Sequence, residues 1–380
     1  MLPASQGNHP GSGNVADLAT RNESNGRLIA MSNADRWLKM NCRFCVPVLA
    51  RLAICALIVL SAGPLAAAQS YNITDLGAYP GGSNSEAFAI NALGQVVGYA
   101  DFNGSSSHAS IWSARGLQDL GAIPPEYNFS FAESINVTGE IAGYSTYGDI
   151  QLGHAVRWVG GVLQDLGTLP GGRVAQAMGI NDLGQITGFS DSATSSPHAF
   201  LWSAGKGMQD LGTLPGGYYS QGLSINLQGE VAGYSNNSRG NWCAILWTRS
   251  AGMQALPNPP GESGGSGNAI NNLGHVAGGS GDVATLWTSV SQVKSLGTLP
   301  GGGFSSAFGL NDLDEVVGWS GFHAFLWTQS TGMQDLNDLI PPNSGWTLTA
   351  AYGINLLGQI AGYGTINGQT HAFLLTPVPD

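Results

Sequence analysis

The chain has 380 residues, 57 of them glycine, with 43% hydrophobic and only 10% charged residues. That hydrophobic content excludes general disorder, and abundant glycine with so few charges points to short strands joined by tight turns rather than long solvated helices. Six of the 13 Lys and Arg but only three of the 24 Asp and Glu precede residue 69, leaving an acidic body of seven bases against 21 acids, which argues against nucleic acid or an anionic membrane surface as partner.

Residues 1–39 are polar and rich in Gly, Ser and Asn, and are expected to be a disordered or mis-assigned extension, with translation starting at Met40 or Met31. Residues 40–68 read as a signal peptide: Arg43 and Arg51 form the basic region, Leu52–Leu60 the apolar one, and Ala66–Ala68 the small-residue cleavage site before Gln69. The stretch from Leu52 to Ala68 is broken by Gly63-Pro64 and is short for a membrane span. Export to the periplasm or the medium, with no stable anchor after cleavage, is therefore expected. Cys42, Cys45 and Cys55 lie in the removed segment, so Cys243 has no partner for an internal disulfide.

From residue 69 onward the chain repeats itself. The motif is Ile-Asn-x-x-Gly, with asparagines at Asn91, Asn136, Asn181, Asn226, Asn271, Asn311 and Asn355, spaced by 45, 45, 45, 45, 40 and 44 residues. In the sixth copy Asp314 takes the place of the glycine. A fixed period of this size marks a repeat architecture. Each unit holds four short β-type runs. The first ends at the asparagine and carries only Ala, Gly or Ser two and four residues before it, which suits a crowded axis. The second ends near an aromatic (Tyr99, Tyr144, Phe189, Tyr234, Trp319, Tyr363), the third is typified by "HAFLW", and the fourth by "MQDLGTL" before a "PGG" crossover. Four strands in 40–45 residues is the pattern of a propeller blade, whereas the coils of a β-solenoid are shorter. The expected fold is all-β: a seven-bladed β-propeller of four-stranded blades over residues 69–380.

Joint losses indicate how strands pair. His108, His154, His198 and His323 are each followed 11 or 12 residues later by Asp119, Asp165, Asp210 and Asp335. Where the histidine is replaced by Cys243 or Val283, the aspartate is replaced by Ala255 or Ser295. A buried cross-strand His–Asp contact, in which loss of one member leaves the other unsatisfied, explains loss of both together. A hairpin centred near Ala204 would set Phe200 against Met208 and His198 against Asp210. His371 and Asp75 remain over, and they pair if Tyr71–Tyr79 is the outer strand of the last blade, so that the N-terminus closes the ring.

The repeat, with "HAFLW", "DLGTLPGG" and "GINDLGQITG", resembles the HAF family of probable extracellular bacterial repeat proteins. The likeness covers Tyr71 to about Pro377, and the His-Ala-Phe triplet is intact at His198, His323 and His371. The resemblance implies an exported bacterial repeat protein of unassigned activity and supplies no catalytic residues.

Repeated residues build the repeat, so function is sought where copies differ. The five His–Asp pairs sit in five blades, which argues for structure over a catalytic dyad or a shared metal. Asp312, Asp314 and Glu315 form the densest acidic turn and are weak Ca²⁺ candidates; no other cofactor is expected. The crossovers gather Tyr127, Phe129, Phe131, Tyr218, Tyr219, Phe304 and Trp346, which suit sugar stacking or protein contact, or else simply cap gaps between blades. Two functional classes follow: an exported, non-catalytic, monomeric binding module for a glycan or protein, or a polysaccharide lyase or hydrolase using the unrepeated carboxylates Glu133 and Glu86. The first is favoured, because no His or metal constellation accompanies the glutamates.

Overall fold

The structure is a computed structural model describing residues 69–102, 106–123, 128–146, 153–193 and 196–379. The expectations about the leader segment and Tyr127 lie outside the described residues. Seven four-stranded antiparallel sheets form the blades of a β-propeller. Blade one runs outward from the axis as Ser85–Ile90, Val96–Phe102, Ser106–Ser113 and Gly116–Asp119. Blades two to six repeat this order over residues 129–167, 175–210, 220–255, 266–297 and 305–335. Blade seven is composite: Trp346–Ile354, Ile360–Ile366 and Gln369–Pro377 are completed at the outer edge by Tyr71–Asp75.

The N-terminal strand thus closes the ring, as the unmatched His371 and Asp75 require. Tyr71 pairs with Pro377 and Asp75 with Phe373. The Tyr71 ring is buried with Leu336, Leu339, Ile340 and Phe373, so the closing strand is held by apolar burial as well as by its ladder.

Small residues crowd the axis for a visible reason. In every innermost strand the register shifts between the residues four and two before the asparagine, as at Ala87/Ala89 and Ala307/Gly309. This is a β-bulge, and it brings neighbouring backbones together. A Cβ on Gly309 would lie 2.7 Å from the Tyr352 carbonyl oxygen of the next blade. The bulged residue between the two small ones turns toward the axis, where Phe88, Phe308 and Tyr352 from three blades meet.

The asparagines do more than start turns. Each Oδ1 caps its own turn; in blade three it accepts from Leu183 N and Gln185 N. Each Nδ2 then donates to the backbone oxygen of the next blade's asparagine: Asn91 to Asn136, then Asn181, Asn226, Asn271, Asn311 and Asn355, and from Asn355 back to Asn91, at 2.8–3.2 Å. The period therefore encodes a closed hydrogen-bonded ring of buried amides. A second latch joins blades at the third strand, where Ala109 N, Ala199 N, Ala284 N and Ala372 N donate to the first serine of the following blade. Between blades lie the tryptophans near the end of the third strand. Trp158 and Trp287 are buried and donate from Nε1 to Leu120 O and Pro257 O of the preceding blade's crossover.

One expected register is corrected. Ser203 pairs with Gly207, so the blade-three hairpin is centred on Gly205, and Phe200 faces Asp210 while Trp202 faces Met208. His198 lies beyond the paired segment and reaches Asp210 on the diagonal. The meander puts the Asn-x-x-Gly turns and the outer hairpins on one face. The crossovers and the loops between second and third strands emerge on the other.

Candidate functional site: the crossover face

The His–Asp contacts form in all five expected blades. Nδ1 lies 2.5–3.1 Å from a carboxylate oxygen in His108–Asp119, His154–Asp165, His198–Asp210, His323–Asp335 and His371–Asp75. Each aspartate also accepts from the backbone N–H two residues on, such as Gly121, Gly167 and Gly212. The pair therefore fastens the outer strand where it bends into the crossover. Burial pushes the Asp119 carboxyl up, but hydrogen bonds from His108 and Gly121 N outweigh this and hold it below its ordinary value. The expectation of a buried contact is corrected: these carboxylates remain 19–44% exposed. Water can replace a missing partner at such exposure, so joint loss reflects the crossover's geometry more than an orphaned charge.

The aromatic residues divide into three groups. Tyr219 joins Tyr234 and Trp242 in blade four, with ring centroids 5.2–6.1 Å apart. Phe304 joins Trp319 and Phe322 in blade six, at 4.8–6.3 Å. These two triads occupy equivalent positions. Tyr219 and Phe304 each precede the first strand's serine by one residue, Tyr234 and Trp319 each precede the second strand's last serine, and Trp242 and Phe322 directly precede Cys243 and His323. Trp242 is 44% exposed, Phe322 70% and the adjoining Tyr218 61%. In blade four, Asn236 Oδ1 accepts from both Tyr218 N and Tyr219 N at 2.9 Å and fixes that pair. In blade six the backbone is strained instead: Phe322 has φ 72° after Gly321 at 55°, a turn position that favours glycine or asparagine.

Trp346 differs from this group. Its ring packs edge-on to Phe373 at 6.1 Å and lies against the blade-seven core, so it caps a gap. Phe129 occupies the blade-two position equivalent to Tyr219, but Gly153 stands where Trp242 would be. Phe131 points to the axis and stacks on Tyr144 at 4.9 Å. Trp242 and Phe322 escape a reading based on crossovers alone because they belong to the other loop type. Their shared place just before the "His" position of the third strand is the signal that would find them.

Phe131 opens onto the third group. Phe308, Tyr352, Phe88, Tyr99, Phe131 and Tyr144 form a continuous arc around the axis, with successive centroids 4.7, 5.6, 5.7, 5.3 and 4.9 Å apart. Tyr363 stacks on Tyr352. Glu86 and Glu133 lie in this arc, the second at the bulge of blade two. Desolvation, then the nearby Glu86 charge, push the Glu133 carboxyl up to about 8. Burial also raises Glu86, against a hydrogen bond from the Tyr99 hydroxyl. The structure therefore brings together two glutamates that lie 47 residues apart in the chain.

On the opposite face, the acidic turn of blade six is occupied by its neighbours. Asp312 accepts from Asn272 N and Nδ2, and Glu315 from Asn311 Nδ2. Asp314 contacts His275 Nδ1 at 2.8 Å and accepts from Asn271 Nδ2 at 2.9 Å. His275 replaces the Gln or Glu found there in other copies, and Asp314 replaces the glycine. This sixth His–Asp pair bridges blades five and six, and it accounts for the non-glycine residue at φ 59°. Among the described residues no group of three His, Cys, Asp or Glu side chains is placed to hold a metal ion.

No protein-family model and no curated protein matches this chain. Solved structures similar to it include virginiamycin B lyase from Staphylococcus aureus, at 9% identity and TM-score 0.47, covering 82% of this chain and all of that one. An oligogalacturonate lyase in complex with manganese aligns at 10% identity and TM-score 0.48, covering 82% and 94%. The BP39L lectin from Burkholderia pseudomallei aligns at 12% identity and TM-score 0.44, covering 82% and 99%.

Proposed function

We propose that this protein is an exported binding propeller whose ligand is a glycan, held at two equivalent aromatic clusters on the crossover face of blades four and six. The observation that carries the reading is Phe322. A large aromatic side chain, mostly in water and at positive φ, costs on the order of 1 kcal/mol or more and recovers little burial. Strain kept at an exposed position favours a role outside folding. Trp242 stands exposed at the same place in blade four, and both clusters combine flat apolar faces with polar rims, as sugar rings require.

Export with cleavage near Ala68–Gln69 and membership of the HAF family belong to the same proposal; N-terminal sequencing of the native protein tests the first. A glycan array probed with the wild type and with Trp242→Ala/Phe322→Ala tests the binding. Saturable signal lost in the double variant supports it, and a signal unchanged in that variant defeats it. The second reading, an enzyme acting on polysaccharide, draws on Glu133, whose proton is retained at neutral pH as a general acid needs. Polysaccharide turnover abolished by Glu133→Gln, with no array binding, would favour that reading.

A further inference from the structure

The axial cup is chemically lopsided. One wall, from blades six, seven, one and two, is the aromatic arc with Glu86 and Glu133. At the corresponding positions, blades three to five supply the amides Gln176, Gln221 and Asn268 with Met178 and Leu223, and rings only at Phe189 and Tyr234. All these side chains are half-buried. Asn268 is occupied by Ser266 and by Ala307 O of the next blade, and Gln221 by the Tyr219 hydroxyl. The titratable groups facing the cup are Glu86, Glu133, Tyr99, Tyr144, Tyr234, Tyr352 and Tyr363, with the Tyr219 hydroxyl on Gln221. Among the described residues every ion pair joins a histidine to an aspartate, so no base neutralises either glutamate. Glu133 accepts no hydrogen bond from a described residue, while Glu86 has the Tyr99 hydroxyl.

Two adjacent carboxyls ringed by aromatics, one of them held protonated for want of a counter-ion, are a poor way to stabilise a fold. The same arrangement is what an organic cation requires. Ring faces carry negative potential that attracts a weakly hydrated ammonium, and a carboxylate at the ring edges supplies the formal counter-charge. We infer that the axial cup binds an organic cation of the alkylated or quaternary ammonium class, with Tyr352, Phe88, Tyr99 and Phe131 forming the cage and Glu86 and Glu133 the counter-charge. The cup adjoins the blade-four triad through Tyr219 and Gln221, but its cage and carboxylates come from blades seven, one and two, so the inference does not depend on glycan binding at the rim.

The protonation of Glu133 gives this site a signature. Burial and then the Glu86 charge push its carboxyl up to about 8, and a bound cation needs the charged form. Cation binding therefore releases a proton below pH 8. Affinity rises with pH, by up to tenfold per unit between 6 and 8, and levels off above. A sugar or a neutral apolar ligand would show no such dependence.

The test is calorimetric titration of the intact protein with choline chloride, and with 3,3-dimethylbutan-1-ol as its uncharged isostere. The expected result is saturable choline binding at least tenfold tighter than the alcohol, and tighter at pH 8.5 than at pH 6.5. Glu133→Gln should abolish the pH dependence and weaken choline at least tenfold. Tyr352→Leu should weaken it similarly, with Tyr352→Phe retaining most of the affinity. Equal affinity for the alcohol, pH-independent choline binding, or no saturable heat with choline at pH 8.5 would each overturn the inference. The isostere comparison uses the wild type alone and stays decisive even if a variant fails to fold.

Discussion

Replacing Asn181 separates two accounts of why the asparagine recurs. As a local turn initiator it needs only Oδ1, which accepts from Leu183 N at 3.1 Å and Gln185 N at 3.0 Å. As a ring member it needs Nδ2, which donates to Asn226 O at 2.8 Å and to Gln185 Oε1 at 2.9 Å. Asn181→Ala removes all four bonds from a buried site. At about 0.5–1.5 kcal/mol net for each, and with water replacing some of them, the loss should be about 3 kcal/mol. Asn181→Asp keeps both acceptor bonds but turns a carboxylate oxygen toward the Asn226 carbonyl. It should cost about 2 kcal/mol or more at pH 7 and recover as acidification lets the carboxyl donate. Asp182→Ala is the control, since that side chain in the same turn accepts a single bond, from Val137 N. Denaturant unfolding with linear extrapolation measures all three. If Asn181→Asp is as stable as the wild type at pH 7, or if Asn181→Ala costs no more than Asp182→Ala, the inter-blade ring is not what the asparagines maintain.

Other consequences follow from the same geometry. Because the Glu133 carboxyl is raised from 4.5 to about 8, its contribution to stability is fully present below pH 4.5 and is lost as pH rises through 8. By linkage the loss reaches about 3 kcal/mol by pH 7, so Glu133→Gln should flatten the pH dependence of unfolding free energy over this range; an unchanged slope would place the carboxyl in water. Phe322→Gly relieves the positive-φ strain but adds chain entropy and loses some ring contact, so the unfolding free energy should stay within about 1 kcal/mol of wild type while blade-six binding disappears. Deleting Tyr71–Asp75 strips the outer strand from blade seven and removes the burial of Tyr71, a loss of about 4 kcal/mol from the ring alone; an unshifted unfolding midpoint would mean the ring closes some other way.

The parts of this fold legible in the sequence are those repeated at fixed spacing or lost together. The asparagine period reveals seven blades, and the substitutions at Cys243/Ala255 and Val283/Ser295 reveal the cross-strand pairing and, through His371 and Asp75, the closing strand. Less legible is anything that depends on contact between blades. The Asn–Asn ring joins residues 40–45 positions apart, or 264 at the closure, and no local pattern distinguishes it from a chain of independent turns. His275 and Asp314 are likewise separated by 39 residues. The bulge that turns Glu133 to the axis leaves no mark in the alternation, because the small residues beside it would look the same in a regular strand. The blade-three hairpin is centred on Gly205 rather than Ala204, and a shift of one at the turn, which no local residue pattern marks, moves every cross-strand pair by two.

The reading of the crossover face rests on two equivalent sites in one chain, and the stoichiometry of glycan binding tests that most directly. With an oligosaccharide selected on the array, calorimetric titration of the wild type should give two sites per chain. Trp242→Ala alone and Phe322→Ala alone should each give one, and the double variant none. One site in the wild type that survives both substitutions would contradict the account.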